Sequence, residues 1–208
     1  IGLSGDLPEP GSFITIEDFG VPVLATRDKD GEFHAFLNGC RHRGVQVASD
    51  ARGTANRFMC PFHHWTYSNQ GKLINIPRNR DFGEIDKDCH GLIRLPAQEK
   101  YGLLVVHPKP EGNVDIDDLL GELAPEIAGW NFDKLTYHTE SVLDNQLNWK
   151  LANDTFGETY HFSRLHKDTL GHLFHGDALA YEEYGRNHRF VFATKNIENL
   201  KGIPEEDW

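Results

Sequence analysis

The chain has 208 residues, of which 25% are charged and 38% are apolar or aromatic. This composition is ordinary for a globular protein, and the length suffices for one large domain or two small ones. No apolar run approaches the roughly 20 residues that a membrane-spanning helix needs, so the sequence predicts no transmembrane segment. The net charge of −11 argues against nonspecific binding to nucleic acid or to anionic membranes.

The cysteine content indicates the compartment. Three cysteines are too few for a disulfide scaffold, and an odd, small number is typical of a reducing compartment, where cysteine is more often a metal ligand or a core residue. The first residues contain neither the basic region nor the apolar core of a signal peptide. We therefore expect a cytoplasmic protein.

The first half of the chain is predicted to be rich in β-strands. Short runs of Val, Ile, Phe and Thr predict strands within residues 12–20, 21–28, 32–38 and 101–108. Turn signals lie at 18–20 and 28–31, and Asn69-Gln70-Gly71 predicts a hairpin turn. Strands at this spacing favour a small antiparallel barrel or sandwich.

The second half is predicted to mix helices and strands. Residues 115–123 are expected to form a short helix, because acids in the first turn suit the helix dipole. Alternation of apolar and polar residues predicts a strand at 135–144, and a later strand is predicted at 189–196. Between them, apolar residues of 148–166 recur at near-helical spacing, with Gly157 as a weak point.

Two cysteines and two histidines form the first group of candidate metal ligands. One residue separates Cys40 from His42, and two residues separate Cys60 from His63. Two such loops could close on a tetrahedral zinc or on an iron–sulfur cluster. Zinc fingers usually pair like ligands, as Cys-x-x-Cys and His-x-x-x-His, whereas a Rieske centre has two Cys on one iron and two His on the other. The pattern therefore predicts a Rieske [2Fe-2S] cluster, with Cys40 and Cys60 on the inner iron and His42 and His63 on the outer iron.

A second group lies about a hundred residues later, at Glu158, Tyr160, His161 and His166. On a regular helix, a spacing of five residues places two side chains roughly 140° apart, so both histidines reach one metal only if the helix is bulged or broken between them. A facial site for non-haem Fe(II) needs two imidazoles, a carboxylate and open positions. Taken alone, two such histidines are more often surface or core residues.

The two groups in this order resemble the large (alpha) subunit of Rieske non-haem iron ring-hydroxylating oxygenases. The resemblance covers about residues 12–176 and rests on the loops CRHRG and CPFHHW, an acidic linker, Asn-Trp-Lys at 148–150 and Glu-x-Tyr-His-x-x-x-x-His. In that family the second loop usually reads CPYHGW, so His64 stands where glycine is common and is not expected to be a ligand. Cys89 has no metal-spaced partner, and a free thiol is expected there.

The resemblance implies an α+β fold in two parts. A β-rich Rieske [2Fe-2S] domain is expected at 1–110, followed at 111–208 by the first part of a helix-grip (START-like) catalytic domain. The family's third iron ligand, an aspartate, is expected beyond residue 208, because Asp177, Glu182 and Glu183 lie too close behind His166.

The resemblance also implies roles for residues of the second group. His161 and His166 would bind a mononuclear non-haem Fe(II), and the carboxylate of Glu158 would bridge His161 to His63 of a neighbouring subunit. The substrate pocket would be lined by Asp154, Thr155, Phe162 and Leu165, although core packing explains Phe162 and Leu165 equally well.

The implied activity is that of a terminal oxygenase. It would use O2 and electrons from NAD(P)H, delivered by a ferredoxin and/or a flavin reductase, to hydroxylate an aromatic or other small organic substrate, as in aromatic hydrocarbon catabolism. The assembly would be a homotrimer or an (alpha-beta)3 complex, because a head-to-tail ring brings the cluster of one subunit to the iron of the next.

Three other interpretations stay open. Many dioxygenases of the family carry Asp where this chain has Glu158, and some oxidative demethylases and monooxygenases carry Glu, so a quaternary amine is an alternative substrate. A non-catalytic Rieske electron carrier would not need His161 and His166. A zinc-bound structural domain would be colourless, whereas a Rieske cluster is red-brown.

Overall fold

The computed structural model describes residues 1–18 and 20–207. Within them the chain forms thirteen strands and three α-helices, joined by turns and short 3₁₀ segments. The strands are β1 Gly2–Leu3, β2 Ser12–Ile16, β3 Val23–Arg27, β4 Phe33–Leu37, β5 Arg52–Thr54, β6 Arg57–Met59, β7 Thr66–Ser68, β8 Leu73–Asn75, β9 Arg94–Leu95, β10 Ala97–Lys100, β11 Leu103–Val106, β12 Phe174–Tyr184 and β13 Asn187–Thr194. The helices are α1 Ile116–Leu120, α2 Ala124–Gly129 and α3 Trp149–Phe156.

The chain divides into two compact units. The first contains Ile1–Leu119 and Ala124–Thr139, and the second contains Leu120–Leu123 and the residues from Glu140 onward. The prediction of an α+β chain with a β-rich first part is confirmed. The domain boundary at residue 110 stays a prediction, since compactness assigns most of 111–139 to the first unit.

The centre of the first unit is an antiparallel five-stranded sheet with the order β5-β2-β3-β4-β9. Successive residues of a strand point to opposite faces. In β2, Phe13 packs into one core with Leu24 and Phe36, whereas Ile14 joins a second cluster with Ala25. Both faces of the sheet are therefore covered, which explains why its strands read as nearly continuous apolar runs.

The remaining strands of the first unit form two smaller sheets. One has the order β6-β7-β8, and the other has the order β1-β11-β10. The predicted hairpin turn at 69–71 joins β7 to β8, with Gly71 at φ +80°. The predicted turn at 28–31 is also present, because the Gly31 N–H donates to the Asp28 carbonyl at 3.1 Å. The predicted turn at 18–20 includes Phe19, which lies outside the described residues.

The second unit contains a long antiparallel hairpin, β12-β13, whose second strand was predicted at 189–196. Helix α3 begins after Asn148, whose side chain caps it by accepting a hydrogen bond from the Lys150 N–H at 2.9 Å. It ends at Phe156, and the predicted weak point Gly157 is its C-terminal cap. Helical spacing in the sequence continues to residue 166, but the helix does not.

One predicted strand is wrong. Residues 135–144 form no regular structure, although their side chains alternate in polarity. Val142 and Leu143 are more than 80% exposed, so no apolar face is buried there. Alternation stabilises a strand only when a neighbouring strand or a core covers the apolar side. The predicted helix at 115–123 is present as α1 followed by the 3₁₀ segment Gly121–Leu123.

None of the helices described in residues 1–18 and 20–207 is long and apolar enough to cross a membrane.

Candidate iron centres

The residues of the first ligand group lie on two loops with the same backbone hydrogen bonding. In each loop, the N–H of the cysteine donates to the carbonyl five residues later, and the N–H four residues later donates to the cysteine carbonyl. The four bonds are Cys40 to Val45 at 2.8 Å, Gly44 to Cys40 at 2.8 Å, Cys60 to Trp65 at 2.9 Å and His64 to Cys60 at 3.0 Å. The loops 40–45 and 60–65 are thus tight turns that fix the direction of the side chains they carry.

The backbone conformation explains why glycine is common at the position of His64. Gly44 and His64 occupy equivalent positions in the two loops, and both have left-handed backbones, with φ of +76° and +57°. A residue with a Cβ pays about 1–2 kcal/mol in that region, whereas glycine enters it freely. The side chain of His64 is exposed, which agrees with the expectation that it is not a ligand. That expectation stays a prediction.

Replacement of His64 by glycine is therefore expected to stabilise the first unit by up to about 1 kcal/mol, since relief of the left-handed strain exceeds the extra entropy of an unfolded glycine. Thermal unfolding followed by circular dichroism measures the change. Gly44→Ala is the matched control, because a Cβ at Gly44 meets no atom within 4 Å and adds only strain. It should lower the unfolding temperature. A His64→Gly protein less stable than the parent would contradict this account.

The two loops bring like side chains together. Cys40 and Cys60 are 4% and 2% exposed, they interact with each other, and burial raises the pKa of the Cys60 thiol. The rings of His42 and His63 lie 4.7 Å apart, and His63 is exposed. Two cysteines inside and two histidines outside match the ligand sets of the two irons in a Rieske cluster.

His42 tests whether these residues fit an iron–sulfur cluster. Its Nδ1 atom is buried and has no hydrogen-bond partner among the described residues. A buried ring nitrogen without a partner is rare in a native protein, and a metal ion would satisfy it. Burial of this ring also lowers the pKa of His42, so the neutral form that binds metal is favoured. The residues present therefore fit a [2Fe-2S] cluster.

Tyr67 on β7 was missed by the sequence reasoning. Its side chain is fully buried, and its hydroxyl lies 3.3 Å from the sulfur of Cys40. The Arg41 N–H donates to the same hydroxyl oxygen at 3.0 Å, so the hydroxyl proton is left for the sulfur. Burial raises the pKa of Tyr67, so the phenol stays protonated and can donate. The signal in the sequence was only a tyrosine two residues after CPFHHW.

The second ligand group follows the end of α3. The chain leaves the helix at Gly157 and continues in successive turns through residues 160–173. The rings of His161 and His166 then lie 5.2 Å apart. The break in the helix that this pairing required is present, and the two imidazoles can face one ion.

Glu158 is held by two donors of its own chain. One carboxylate oxygen bonds to Nδ1 of His161, and the other accepts the N–H of Tyr160. The hydrogen bond from His161 lowers the pKa of Glu158, so the carboxylate is ionised at neutral pH. This contact leaves the Nε2 atom of His161 available to a metal.

The turns that carry these residues are anchored at two buried positions. Thr159 is fully buried, and its hydroxyl donates to the Gly176 carbonyl on β12 at 3.0 Å. Phe162 is 8% exposed and packs edge-on against Phe192 of β13. Polar and apolar anchors on either side of His161 therefore fix its position against the hairpin.

A cavity of about 310 Å³ lies at these histidines. It is lined by Thr155, Phe156, Glu158, His161, Phe162, Leu165, His166, Leu170 and Phe192. Three of the four predicted pocket residues are in this lining. Asp154 is outside it, and its carbonyl accepts a hydrogen bond from the Gly157 N–H.

No group of three or more His, Cys, Asp or Glu side chains within residues 1–18 and 20–207 is arranged to hold a single ion. A Rieske cluster does not require one, since each of its irons takes two protein ligands. In the second group, Glu158 is turned towards His161, and Glu182 pairs with Arg189 and Tyr184. The described chain thus supplies two imidazoles to the second site.

Comparison with known families decides what these sites belong to. Residues 1–96 match the Rieske [2Fe-2S] domain, and residues 132–206 match the catalytic domain of ring hydroxylating alpha subunits. The chain combines a Rieske domain with a ring-hydroxylating alpha catalytic domain. The resemblance seen in the motifs is confirmed, and with it the cofactors, a [2Fe-2S] cluster and a mononuclear iron.

Similar Rieske oxygenases act on different kinds of molecule. The chain is 32% identical over 178 residues to the glycine betaine monooxygenase oxygenase subunit of Chromohalobacter salexigens, covering 85% of this chain and 39% of that protein. It is 28% identical over 196 residues to the anthranilate 1,2-dioxygenase large subunit of Acinetobacter baylyi, covering 87% and 41%. The chain thus spans about 40% of the length of the curated relatives it matches.

A solved structure shows the same fold. The quaternary ammonium Rieske monooxygenase CntA in complex with gamma-butyrobetaine superposes with a TM-score of 0.75 at 26% identity, over 88% of this chain and 51% of that one.

Proposed function

We propose that this chain carries the electron-transfer and iron-binding parts of a terminal oxygenase that inserts oxygen from O2 into a small organic substrate. The observation that carries the proposal is the second site, where His161 and His166 face each other at an apolar cavity. An electron carrier needs the cluster loops but has no use for a second pair of histidines beside a cavity.

In the first site we assign Cys40 and Cys60 to the inner iron and His42 and His63 to the outer iron. The assignment is supported by the burial of both thiols, by the unpartnered Nδ1 of His42 and by the exposure of His63. The exposed imidazole edge lies on the side from which an electron donor or acceptor can approach.

In the second site we assign His161 and His166 as iron ligands and Glu158 as the residue that orients His161. Mononuclear iron would supply activation of O2 at this place. Glu158 fixes the orientation and the tautomer of the His161 ring by accepting a hydrogen bond from its Nδ1–H, as carboxylates commonly do for metal-bound histidines. The apolar walls of the cavity would hold the substrate beside the imidazoles.

The cavity favours an apolar or aromatic group as the part of the substrate that lies next to the histidines. Phe156, Phe162 and Phe192 all contribute to its lining. Such rings suit the π-stacking of an aromatic ring, as in aromatic hydrocarbon catabolism.

A second candidate is the oxidation of a quaternary ammonium compound. The same phenyl rings can hold a trimethylammonium group by cation–π attraction, and no Lys or Arg is among the lining residues to repel it. Relatives that act on glycine betaine and gamma-butyrobetaine support this candidate, as does Glu at position 158.

The oxygenase proposal is tested with the full-length protein and a flavin reductase, with or without a ferredoxin. NADH-dependent O2 uptake should depend on an added substrate, and about three irons per chain should be found, two in the cluster and one outside it. An electron carrier would hold about two irons and would not couple O2 uptake to any substrate. An aromatic acid and a betaine, assayed in parallel for product, separate the two substrate classes.

Removal of the Tyr67 hydroxyl is expected to lower the midpoint potential of the cluster. A hydrogen bond to a cluster sulfur stabilises the extra negative charge of the reduced form. Its net value of about 1 kcal/mol corresponds to a shift on the order of 40 mV for one electron. Redox titration of Tyr67→Phe, followed by visible circular dichroism, measures the shift. Tyr137→Phe, in the same unit, should keep the parent potential, and an unchanged Tyr67→Phe potential would contradict the role.

We further propose that the intact protein is a homotrimer or an (alpha-beta)3 assembly in the cytoplasm. In such a ring, His63 of one subunit would meet Glu158 of the next. Analytical ultracentrifugation at the concentration used for activity should show a species of three large subunits. An active monomer under those conditions would exclude the ring.

A further inference from the structure

Trp65 makes the closest planar contact to the assigned cluster ligand His42. The two rings stack with centroids 5.1 Å apart and planes 9° apart, which is an offset-stacked arrangement. Trp65 is 4% exposed. The indole therefore covers one face of the imidazole and keeps water from it.

This stack connects the two cluster loops. His42 belongs to the loop 40–45, whereas Trp65 closes the loop 60–65 by accepting the Cys60 N–H at 2.9 Å. The plane of the His42 ring is thus set by a residue whose backbone is bonded to Cys60. A shift of one loop against the other would have to break the stack.

Two further aromatic rings pack against the stack edge-on. Phe82 lies edge-on to His42 and to Trp65, with centroids 6.0 Å from each. His90 also lies edge-on to the indole, with centroids 6.5 Å apart. The indole is therefore confined by rings of a separate segment, residues 79–90, and cannot swing away from His42.

Among the described residues, the other assigned histidine has no buried ring stacked on it. His63 is exposed. The Phe62 ring lies 4.0 Å from it but is tilted by 34° and is 60% exposed, and the His42 ring lies edge-on at 4.7 Å. Imidazole ligands are usually oriented by a hydrogen bond on the ring nitrogen that does not bind the metal. For His42, the flat face of the indole provides an orientation that is present before any metal binds.

We propose that Trp65 is a positioning residue for the cluster: by stacking on His42 it holds that imidazole in the orientation that the outer iron requires, while His63 is left adjustable. This inference rests on the proposed function, because it takes His42 as a ligand. It assigns Trp65 no contact with substrate and no part in the chemistry.

The experiment compares three variants of the full-length protein, each reconstituted with iron and sulfide. Trp65→Leu removes the flat ring, Trp65→Phe keeps a smaller one, and Phe62→Leu is the matched control at the other histidine. The measurements are the EPR spectrum of the reduced cluster, its midpoint potential, and the rate at which a chelator bleaches the visible absorption. Thermal unfolding of each variant is recorded beside them.

In Trp65→Leu, the EPR lines should broaden and shift, and bleaching should accelerate on the order of tenfold, the effect typical of losing support for a metal ligand. Trp65→Phe should lie between this variant and the parent, and Phe62→Leu should match the parent. Parent-like spectra and bleaching in Trp65→Leu would overturn the inference. So would equal changes in Trp65→Leu and Phe62→Leu.

If Trp65→Leu fails to fold, the variants Trp65→Phe and Phe82→Leu test the inference instead. Both loosen the stack, so both should broaden the EPR lines and speed bleaching relative to Phe62→Leu, and parent-like behaviour in both would overturn the inference. A parent protein without a Rieske EPR signal would instead overturn the proposed function. The two failures are therefore distinguishable.

Discussion

Cys40→Ser is expected to abolish the visible absorption and the EPR signal of the cluster completely. The thiol of Cys40 is buried beside that of Cys60, and its sulfur lies within hydrogen-bonding distance of the Tyr67 hydroxyl. A serine hydroxyl at this place does not ionise near neutral pH and is a poor ligand for iron. Under the proposed assignment, this substitution removes one of the two sulfur ligands of the inner iron and leaves no stable [2Fe-2S] centre.

Cys89→Ser is the matched control. Cys89 is exposed, its thiol donates to Asp86 at 3.1 Å, and this contact raises its pKa. Its surroundings provide neither burial nor a neighbouring thiol, so the variant should keep the parent colour and iron content. A colourless Cys89→Ser protein would overturn the ligand assignment, and a colourless parent that contains zinc would favour a structural zinc site.

The first site could be predicted from the sequence because its determinants are local. Each half of the ligand set lies within four residues, and each loop is closed by backbone hydrogen bonds of its own. Spacing alone therefore placed Cys40 beside Cys60 and His42 beside His63. The contribution of Tyr67 could not be foreseen, because it depends on the register of β7 beneath the loop.

The second site could be predicted only in part. The pairing of His161 with His166 required a break in a helix, and the pattern showed one weak residue, Gly157, without showing where the chain would go next. Phe192 reaches the cavity from β13, far along the chain. No local pattern links a strand residue to a motif that precedes it by some thirty positions.

The wrongly predicted strand at 135–144 and the histidine at position 64 show two features that the sequence alone does not reveal. A strand needs a partner, and the sequence cannot state whether one is available. His64 departs from the usual glycine of this loop, and its left-handed backbone shows why the turn favours glycine there.

The two sites are stabilised in different ways. The loops 40–45 and 60–65 hold their cysteines and histidines by backbone hydrogen bonds and by the stack of His42 on Trp65. The turns after α3 are held by two side-chain anchors, Thr159 and Phe162, and their ligands border a cavity. A rigid relay in one unit and a site that must admit substrate in the other are consistent with an oxygenase, in which electrons and substrate arrive separately.

Glu158→Gln is expected to leave cluster and iron loaded but to slow reoxidation of the pre-reduced cluster by roughly 10- to 100-fold, the range typical for loss of an outer partner of a metal ligand. The carboxylate offers one oxygen to His161 and one to the Tyr160 N–H. An amide has a single oxygen, so one of these two donors must lose its acceptor. The negative charge that would favour a hydrogen bond from the free N–H of a metal-bound imidazole of the neighbouring subunit is lost as well.

Stopped-flow mixing of the reduced protein with O2 and substrate measures this rate, and metal analysis confirms loading. Glu158→Asp is the matched control, because it keeps the charge and both oxygens and should lie closer to the parent than Glu158→Gln does. If Glu158 were only an exposed partner for a base such as Arg164, its loss would leave stability and turnover nearly unchanged. Parent-like reoxidation in Glu158→Gln would therefore exclude the bridging role.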